Sequence, residues 1–161
     1  MAGAGWLEWL EHSSVALATR DSLWLYPAIE TAHIVGFVIL VGSAVMFDLR
    51  LLGFSRTLPV DETARHLLRW SRSSLLVVIP TGFLLFAVEA TATWANPAFR
   101  VKLLLIALAG LNAFAFHRWT FKGVAGWNQG SVSPPAARLA GVASIALWTG
   151  VITCGRLIAY L

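Results

Sequence analysis

Apolar residues gather in four long runs along the chain, and polar and turn-forming residues gather between them. The runs cover about residues 24–47, 67–88, 99–116 and 136–160. Each run approaches the ~20 residues that a helix needs to cross the hydrocarbon core of a bilayer. The pattern therefore predicts four membrane-spanning helices.

The stretches between the runs carry signals for turns and helix starts. Pro59 lies in the first connection, and Asp61 is a typical first-turn residue of the helix that follows. The second connection ends in Asn96-Pro97, which predicts a turn followed by a helix start. The third connection, residues 118–135, is rich in Gly, Ser, Asn and Pro and predicts a polar loop.

A shorter amphipathic pattern precedes the first run, over about residues 5–18. Its polar side carries Glu8, Glu11 and His12. Its apolar side consists of Trp6, Leu7, Trp9, Leu10 and Val15. This pattern predicts a short helix that lies at the membrane interface. The segment lacks the basic start of a signal peptide, and its glutamates interrupt the apolar residues, so we do not expect a cleaved leader.

Composition agrees with the pattern and fixes the class of protein. Of the 161 residues, 58% are hydrophobic and 12% are charged. Soluble domains carry about 25% charged residues, and a soluble fold of this length could not bury so much apolar surface. We therefore expect a single transmembrane domain, an all-α integral membrane four-helix bundle. Cys154 is the single cysteine, which excludes an internal disulfide and a cysteine metal motif.

The basic residues predict an orientation. The formal net charge is +4, and eight of the twelve basic residues lie on or near the connections after the first and third runs. They are Arg50, Arg56, Arg65, Arg69, Arg72, Arg118, Lys122 and Arg138. Because basic loops stay in the cytoplasm, we expect both termini outside, in the periplasm of a bacterium, with the chain in the inner membrane. Scattered arginines at span ends do not indicate a nucleic-acid partner.

Ionisable residues inside the apolar runs are the candidate chemistry, because they are costly at membrane depth and usually functional. Glu30 and His33 are three residues apart and share a helix face, with Gly36 one turn further. A glycine beside a histidine suits an axial haem ligand, and Glu30 would orient the imidazole or take protons itself. The alternative is close helix packing at Gly36, with His33 in an interhelical hydrogen bond.

Lys102 lies at the start of the third run, and its side chain has two alternative roles. A lysine one turn inside a span can snorkel to the lipid headgroups. Facing the interior near His33, its side chain would instead ligate a haem iron, pair with Glu30 or hold a propionate. Fifteen residues separate Lys102 from His117, so the two lie only about 60° apart around a helix.

His66 and His117 form a second candidate layer, at the cytoplasmic ends of the second and third runs. Two histidines on facing helices are what a bis-imidazole haem requires. Arg69 at this end and Arg156 at the other complete the cofactor-binding set, and His33, His66 and His117 are the candidate metal ligands. The alternative is that His66 and His117 are interfacial histidines among the basic residues.

Two resemblances extend this interpretation. The stretch from Arg20 to His33, continuing to Gly53, and the stretch from Phe99 to Asn112 resemble a family of small uncharacterised bacterial inner-membrane proteins. More distantly, a first-span histidine and a third-span lysine are similar to those of CopD-type copper-resistance proteins and HemJ-type protoporphyrinogen oxidases. The HemJ-type resemblance implies haem binding at His33 and Lys102. This chain departs from that type in lacking the tryptophan-rich segment after the histidine and any match in spans two and four.

The sequence therefore predicts a membrane-embedded protein that binds haem b and acts in electron transfer, as a candidate membrane oxidoreductase. It would work with a periplasmic or membrane redox partner and would be able to self-associate as a homo-oligomer. One alternative is a transporter or accessory protein for a metal ion or small solute that uses Glu30 and His33. The other is a structural membrane subunit whose polar residues only hold helices together.

Overall fold

The computed structural model of the chain describes residues 5–160, and every regular element in that range is helical. A π-helical turn, Phe116–Thr120, and a 3-10 helix, Phe121–Gly126, continue the sixth helix. The α-helices are α1 Gly5–Glu11, α2 Ser14–Asp21, α3 Leu25–Leu52, α4 Val60–Val88, α5 Ala90–Ala95, α6 Pro97–Ala115 and α7 Pro135–Leu157. The predicted all-α class is confirmed.

Four of these helices are long and apolar enough to cross a membrane: α3, α4, α6 with its continuation to Gly126, and α7. Many large apolar side chains point outward, for example Leu76 on α4 and Leu139 on α7. Such an outer surface is suited to lipid rather than to water. The chain is therefore a multi-pass helical membrane bundle, as the four apolar runs predict.

Helix α3 is central to the bundle. It packs along α4 on one side and α7 on the other, and α7 packs along α6, which gives the spatial order α4–α3–α7–α6. Helices α4 and α6 have no extended packing contact with each other. Near the α4–α5 junction they meet through the stacked rings of Phe86 and Phe99, whose centroids are 5.3 Å apart. At the opposite end Leu68 packs against the cluster that contains Phe116. A gap therefore remains between α4 and α6 in the middle of the bundle.

Loops interlock at the end of the bundle where α3 ends and α4 begins, which we call the loop end. Arg50 is buried, and its guanidinium donates to the carbonyl oxygens of Leu58 and Asn128. The side-chain oxygen of Asn128 accepts from the backbone N–H of Asp61 and caps the first turn of α4. These contacts let α3 extend to Leu52 and α4 begin at Val60, so the connection is shorter than the apolar runs alone indicate.

The predicted amphipathic segment folds as two short helices, α1 and α2, which dock on the opposite, amino-terminal end of the bundle. Leu7 and Leu10 are buried against Ala87 and Ala90, whereas Trp9 is exposed. Glu11 accepts a hydrogen bond from the backbone N–H of Thr91 at the start of α5. One part of the segment's apolar side therefore packs on the bundle, and the other part is exposed. The predicted helix start at Asn96-Pro97 is confirmed, since Asn96 accepts from the N–H of Ala98.

Candidate functional site

His33 points from α3 into the contact with α4, where a glycine makes room for its ring. A Cβ atom added at Gly82 would lie 2.9 Å from His33 Cε1, closer than real Cβ contacts allow. The imidazole Nδ1 lies 3.0 Å from the hydroxyl oxygen of Thr81. Thr81 and Gly82 of α4 therefore form the seat of the histidine.

The hydrogen bonds of Thr81 assign the protons of this histidine. The hydroxyl of Thr81 has a single proton and donates it to the carbonyl oxygen of Val77, 2.6 Å away. Its oxygen must then accept from Nδ1–H of His33, because two hydrogen-bond acceptors cannot pair. The other ring nitrogen, Nε2, therefore carries the lone pair of the neutral imidazole. An imidazole oriented in this way is typical of a histidine that ligates a metal.

Lys102 lies half-buried on α6 and faces the same interior region. Its ammonium group is within electrostatic reach of His33 and lies next to Cys154 of α7. A Cβ atom added at Gly155 would be 3.7 Å from Lys102 Nζ, so a glycine adjoins this group too. In the described part of the chain the recorded ion pair is Arg65–Asp61, at 3.5 Å, and Lys102 has no carboxylate partner.

Aromatic rings continue from His33 towards the centre of the bundle. The ring of Phe37 stacks on His33 with centroids 6.5 Å apart, and Trp148 of α7 meets Phe37 edge-on at 6.0 Å. The interior between α3, α6 and α7 thus combines two nitrogen groups with an adjoining stack of rings.

Of the two residues expected beside His33, Glu30 does not bond to it, whereas Gly36 lies on the same α4-facing side of α3. Glu30 is exposed and makes no hydrogen bond to His33 among the bonds described. Gly36 is buried against α4, and a Cβ atom there would lie 3.0 Å from a methyl carbon of Val78. Gly36 therefore serves close helix packing, the alternative that the sequence leaves open, and leaves no clearance for a ring on that side.

The other predicted site residues are exposed. Arg156 donates to the hydroxyl of Tyr160 at 2.7 Å, and Arg69 and His66 project from α4. The Nδ1 atom of His117 lies 2.9 Å from the carbonyl oxygen of Ala113. No hydrogen bond or ring contact between His66 and His117 is found in residues 5–160, and no cluster of three or more His, Cys, Asp or Glu residues occurs there.

Asp48 is a buried polar group that the sequence places at a helix end without assigning it a role. Its side chain is 6% exposed, and its Oδ2 atom has no hydrogen-bond partner among the described residues. It lines a cavity of about 390 Å³ between α4 and α6, with α3 and α7 behind. The available sequence signal was an acidic residue directly after the apolar run ending at Phe47, which also fits an ordinary helix end.

Comparisons with known proteins place the chain in a family without assigning a role to any residue. The sequence matches the model of DUF6644, a family of unknown function, over residues 6–161. No curated protein and no solved structure matches the chain. The predicted membership of an uncharacterised family is therefore supported, whereas the similarity to CopD-type and HemJ-type proteins gains no support from these comparisons.

Proposed function

Because the chain belongs to DUF6644, a family of unknown function, we propose its function from its interior: it binds one haem b in the membrane and takes part in electron transfer. The observation that carries this proposal is the free Nε2 of His33, which is oriented by Thr81 and lies within electrostatic reach of Lys102, in a region without a carboxylate partner. Ionisable residues inside a membrane are costly, so two nitrogen donors within electrostatic reach of each other there call for a ligand.

The residues present fit a haem by the chemistry of their donor set. The imidazole of His33 on α3 and the amine of Lys102 on α6 are nitrogen donors that would hold a haem iron. Gly82 and Gly155 lack the side chains that would crowd these groups. Since Val77 and Val78 close the side at Gly36, the ligand would approach from α6 and α7.

Lys102 has two roles within this proposal. As a neutral amine it would ligate the iron, and as an ammonium ion it would pair with a propionate. Bound haem would supply a one-electron redox centre. The protein's own contribution is to hold His33 in one tautomer, to keep water out with Phe37 and Trp148, and to keep Lys102 within electrostatic reach of His33.

The cellular setting belongs to the same proposal. The basic residues at the loop end support an inner-membrane location with both termini in the periplasm. His33 and Lys102 would then lie in the outer half of the membrane, within reach of a periplasmic or membrane redox partner. Gly42 is exposed with open space around it, which supports a close contact between copies in a homo-oligomer.

The distant resemblance to HemJ-type proteins adds a reason to pair His33 with Lys102, since it implicates these two positions. The alternative of a transporter that uses Glu30 with His33 draws no support from the exposed position of Glu30. A structural subunit would explain the packing at Gly36 but not a histidine whose second nitrogen is left free.

An absorption spectrum tests the proposal. The protein is purified in detergent after expression with added haem precursor, and oxidised and dithionite-reduced spectra are recorded. We expect a Soret band and sharpened reduced α and β bands. His33→Ala should lose these bands, and Lys102→Ala should lose or shift them.

Matched variants make the result specific. His12→Ala and Lys122→Ala change an exposed histidine and an exposed lysine far from the site, and should leave the spectrum unaltered. A colourless wild-type protein that is monodisperse, or full haem content in His33→Ala, contradicts the proposal. If the wild type is colourless and both it and His33→Ala fold normally, the structural subunit would be favoured instead.

A further inference from the structure

The cavity between α4 and α6 lies in the half of the bundle nearer the loop end. Its walls come from all four long helices, and its volume is about 390 Å³. The two helices that frame it meet at Phe86 and Phe99 near one end and around Phe116 near the other, without extended packing between. A molecule would therefore enter this cavity sideways from the lipid.

Asp48 is the polar feature of the cavity. It lies about 22 Å along α3 from His33, in the other half of the bundle. Its Oδ2 atom lacks a partner within the described residues, and the hydroxyl of Ser144 on α7 lies next to the same carboxyl group. A buried carboxyl oxygen without a partner is costly, and a hydrogen-bond donor on a ligand would satisfy it.

Further polar atoms line the rim and the back of the cavity. Asn112 uses its amide N–H to bond the carbonyl oxygen of Ala140, which leaves its side-chain oxygen as an acceptor. Arg72 donates from Nε to the carbonyl oxygen of Leu68, and the other N–H groups of its guanidinium are free to donate. His117 also lines the cavity, and the rest of the lining is predominantly apolar and aromatic, including Trp148 and Phe114.

We propose that this cavity binds a membrane quinol, with one hydroxyl of the quinol donating to Asp48. A quinol dissolves in the lipid, has a flat ring that fits aromatic walls, and carries hydroxyl groups at opposite ends of the ring. The lining supplies acceptors in Asp48 and Asn112 and a donor in Arg72, so the oxygens of a quinol can both donate and accept hydrogen bonds there. The apolar tail leaves through the gap between α4 and α6.

Other occupants fit less well. A metal ion would find one carboxylate here, because no group of three His, Cys, Asp or Glu side chains is present in residues 5–160. A phospholipid would place its charged headgroup at the membrane surface and could fill the cavity only with an acyl chain, which leaves Asp48 unpaired.

The cavity adjoins the proposed haem region through aromatic contacts. Trp148 lines the cavity and touches Phe37, which stacks on His33. Binding of the quinol does not require haem, whereas a redox role for the bound quinol rests on the proposed function.

The test measures binding of decylbenzoquinol to the protein in lipid nanodiscs, relative to empty nanodiscs, under reducing conditions. The dimethyl ether of the same molecule is the ligand control, because it cannot donate a hydrogen bond. We expect the quinol to bind about tenfold or more tightly than the ether, as for a hydrogen bond to a buried charged or polar acceptor. Asp48→Leu should remove that difference.

A second variant tests the cavity without touching the carboxyl group. Gly110 lines the cavity and a Cβ atom there meets nothing within 4 Å, so Gly110→Leu should extend a side chain into the cavity and abolish quinol binding. Asp61→Asn changes a carboxylate outside the cavity and should bind like the wild type. Thermal stability of each variant confirms that it is folded.

The outcomes separate this inference from the proposed function. Equal binding of quinol and ether, unchanged binding in Asp48→Leu and Gly110→Leu, or Asp48-dependent binding of a divalent cation without quinol binding would overturn the inference. Quinol binding by a protein without haem bands would keep the inference and reject the proposed function. Haem bands without quinol binding would keep the proposed function and reject the inference.

Discussion

At the scale of single residues, the hydroxyl of Thr81 determines which ring nitrogen of His33 is available to a ligand. It accepts from Nδ1–H and so leaves Nε2 as the reactive nitrogen. The sequence identifies His33 and Lys102 because polar residues stand out in apolar runs. It does not identify Thr81 or Asp48 as partners of a site, since their importance depends on how the helices rotate against each other.

We predict that Thr81→Val weakens haem binding by about 10- to 100-fold, the usual effect of removing a group that orients a ligand. Valine keeps the shape of threonine but cannot accept from Nδ1–H. Haem titration followed by absorbance measures the affinity. Thr149→Val is the control, because Thr149 on α7 is exposed and bonds the carbonyl oxygen four residues earlier in the same way. Equal affinities of both variants would contradict the role of Thr81.

At the scale of elements, two contacts hold the helices that carry the site. Gly82 lets α4 approach His33 of α3, and Asn128 ties the loop before α7 to the start of α4. The helix start at Asn96 could be predicted from local sequence because its cap is made within two residues. The cap of α4 by Asn128 could not, because its partner lies 67 residues away.

The contact at Gly82 leads to a prediction. Gly82→Ala places a methyl group 2.9 Å from His33 Cε1, so the ring or the helix must shift, and we expect reduced haem content. Gly126→Ala is the control, since a Cβ atom at Gly126 meets nothing within 4 Å. Haem content per protein, measured at equal expression, distinguishes the two. A normal haem content in Gly82→Ala would show that the ring does not need this seat.

A second prediction concerns Asn128. Asn128→Ala removes the side-chain cap of α4 and should lower the free energy of unfolding by about 1 kcal/mol. Asn128→Asp retains an acceptor oxygen and should lose less. Thermal unfolding in detergent, followed by circular dichroism, provides the comparison. Indistinguishable melting of wild type and Asn128→Ala would mean that the cap does not stabilise the loop end.

At the scale of the whole molecule, the sequence predicts the four spans but not their spatial order. Lipid-facing and protein-facing residues are equally apolar in a membrane, so the faces of α3 and α6 show no contrast from which packing could be predicted. The order α4–α3–α7–α6 and the gap between α4 and α6 follow from small residues and end contacts that become visible only in the folded chain.

The orientation of the molecule is a further prediction. In a Cys154→Ser background, a cysteine at Ser22 should react with a membrane-impermeant thiol reagent added to intact spheroplasts. A cysteine at Ala125, an exposed residue of the 3-10 helix at the loop end, should react only after the membrane is opened. We expect this labelling pattern because loops rich in basic residues stay in the cytoplasm, and the basic residues gather at the loop end. The reversed labelling pattern would place the termini in the cytoplasm.

The most direct test of the central claim is the number of haem b groups per polypeptide in the purified protein, measured by pyridine haemochrome assay against protein concentration. We predict one haem per chain, retained in His66→Ala and His117→Ala and lost in His33→Ala. Two haems per chain, or a haem that depends on His66 and His117 and not on His33, would contradict the account.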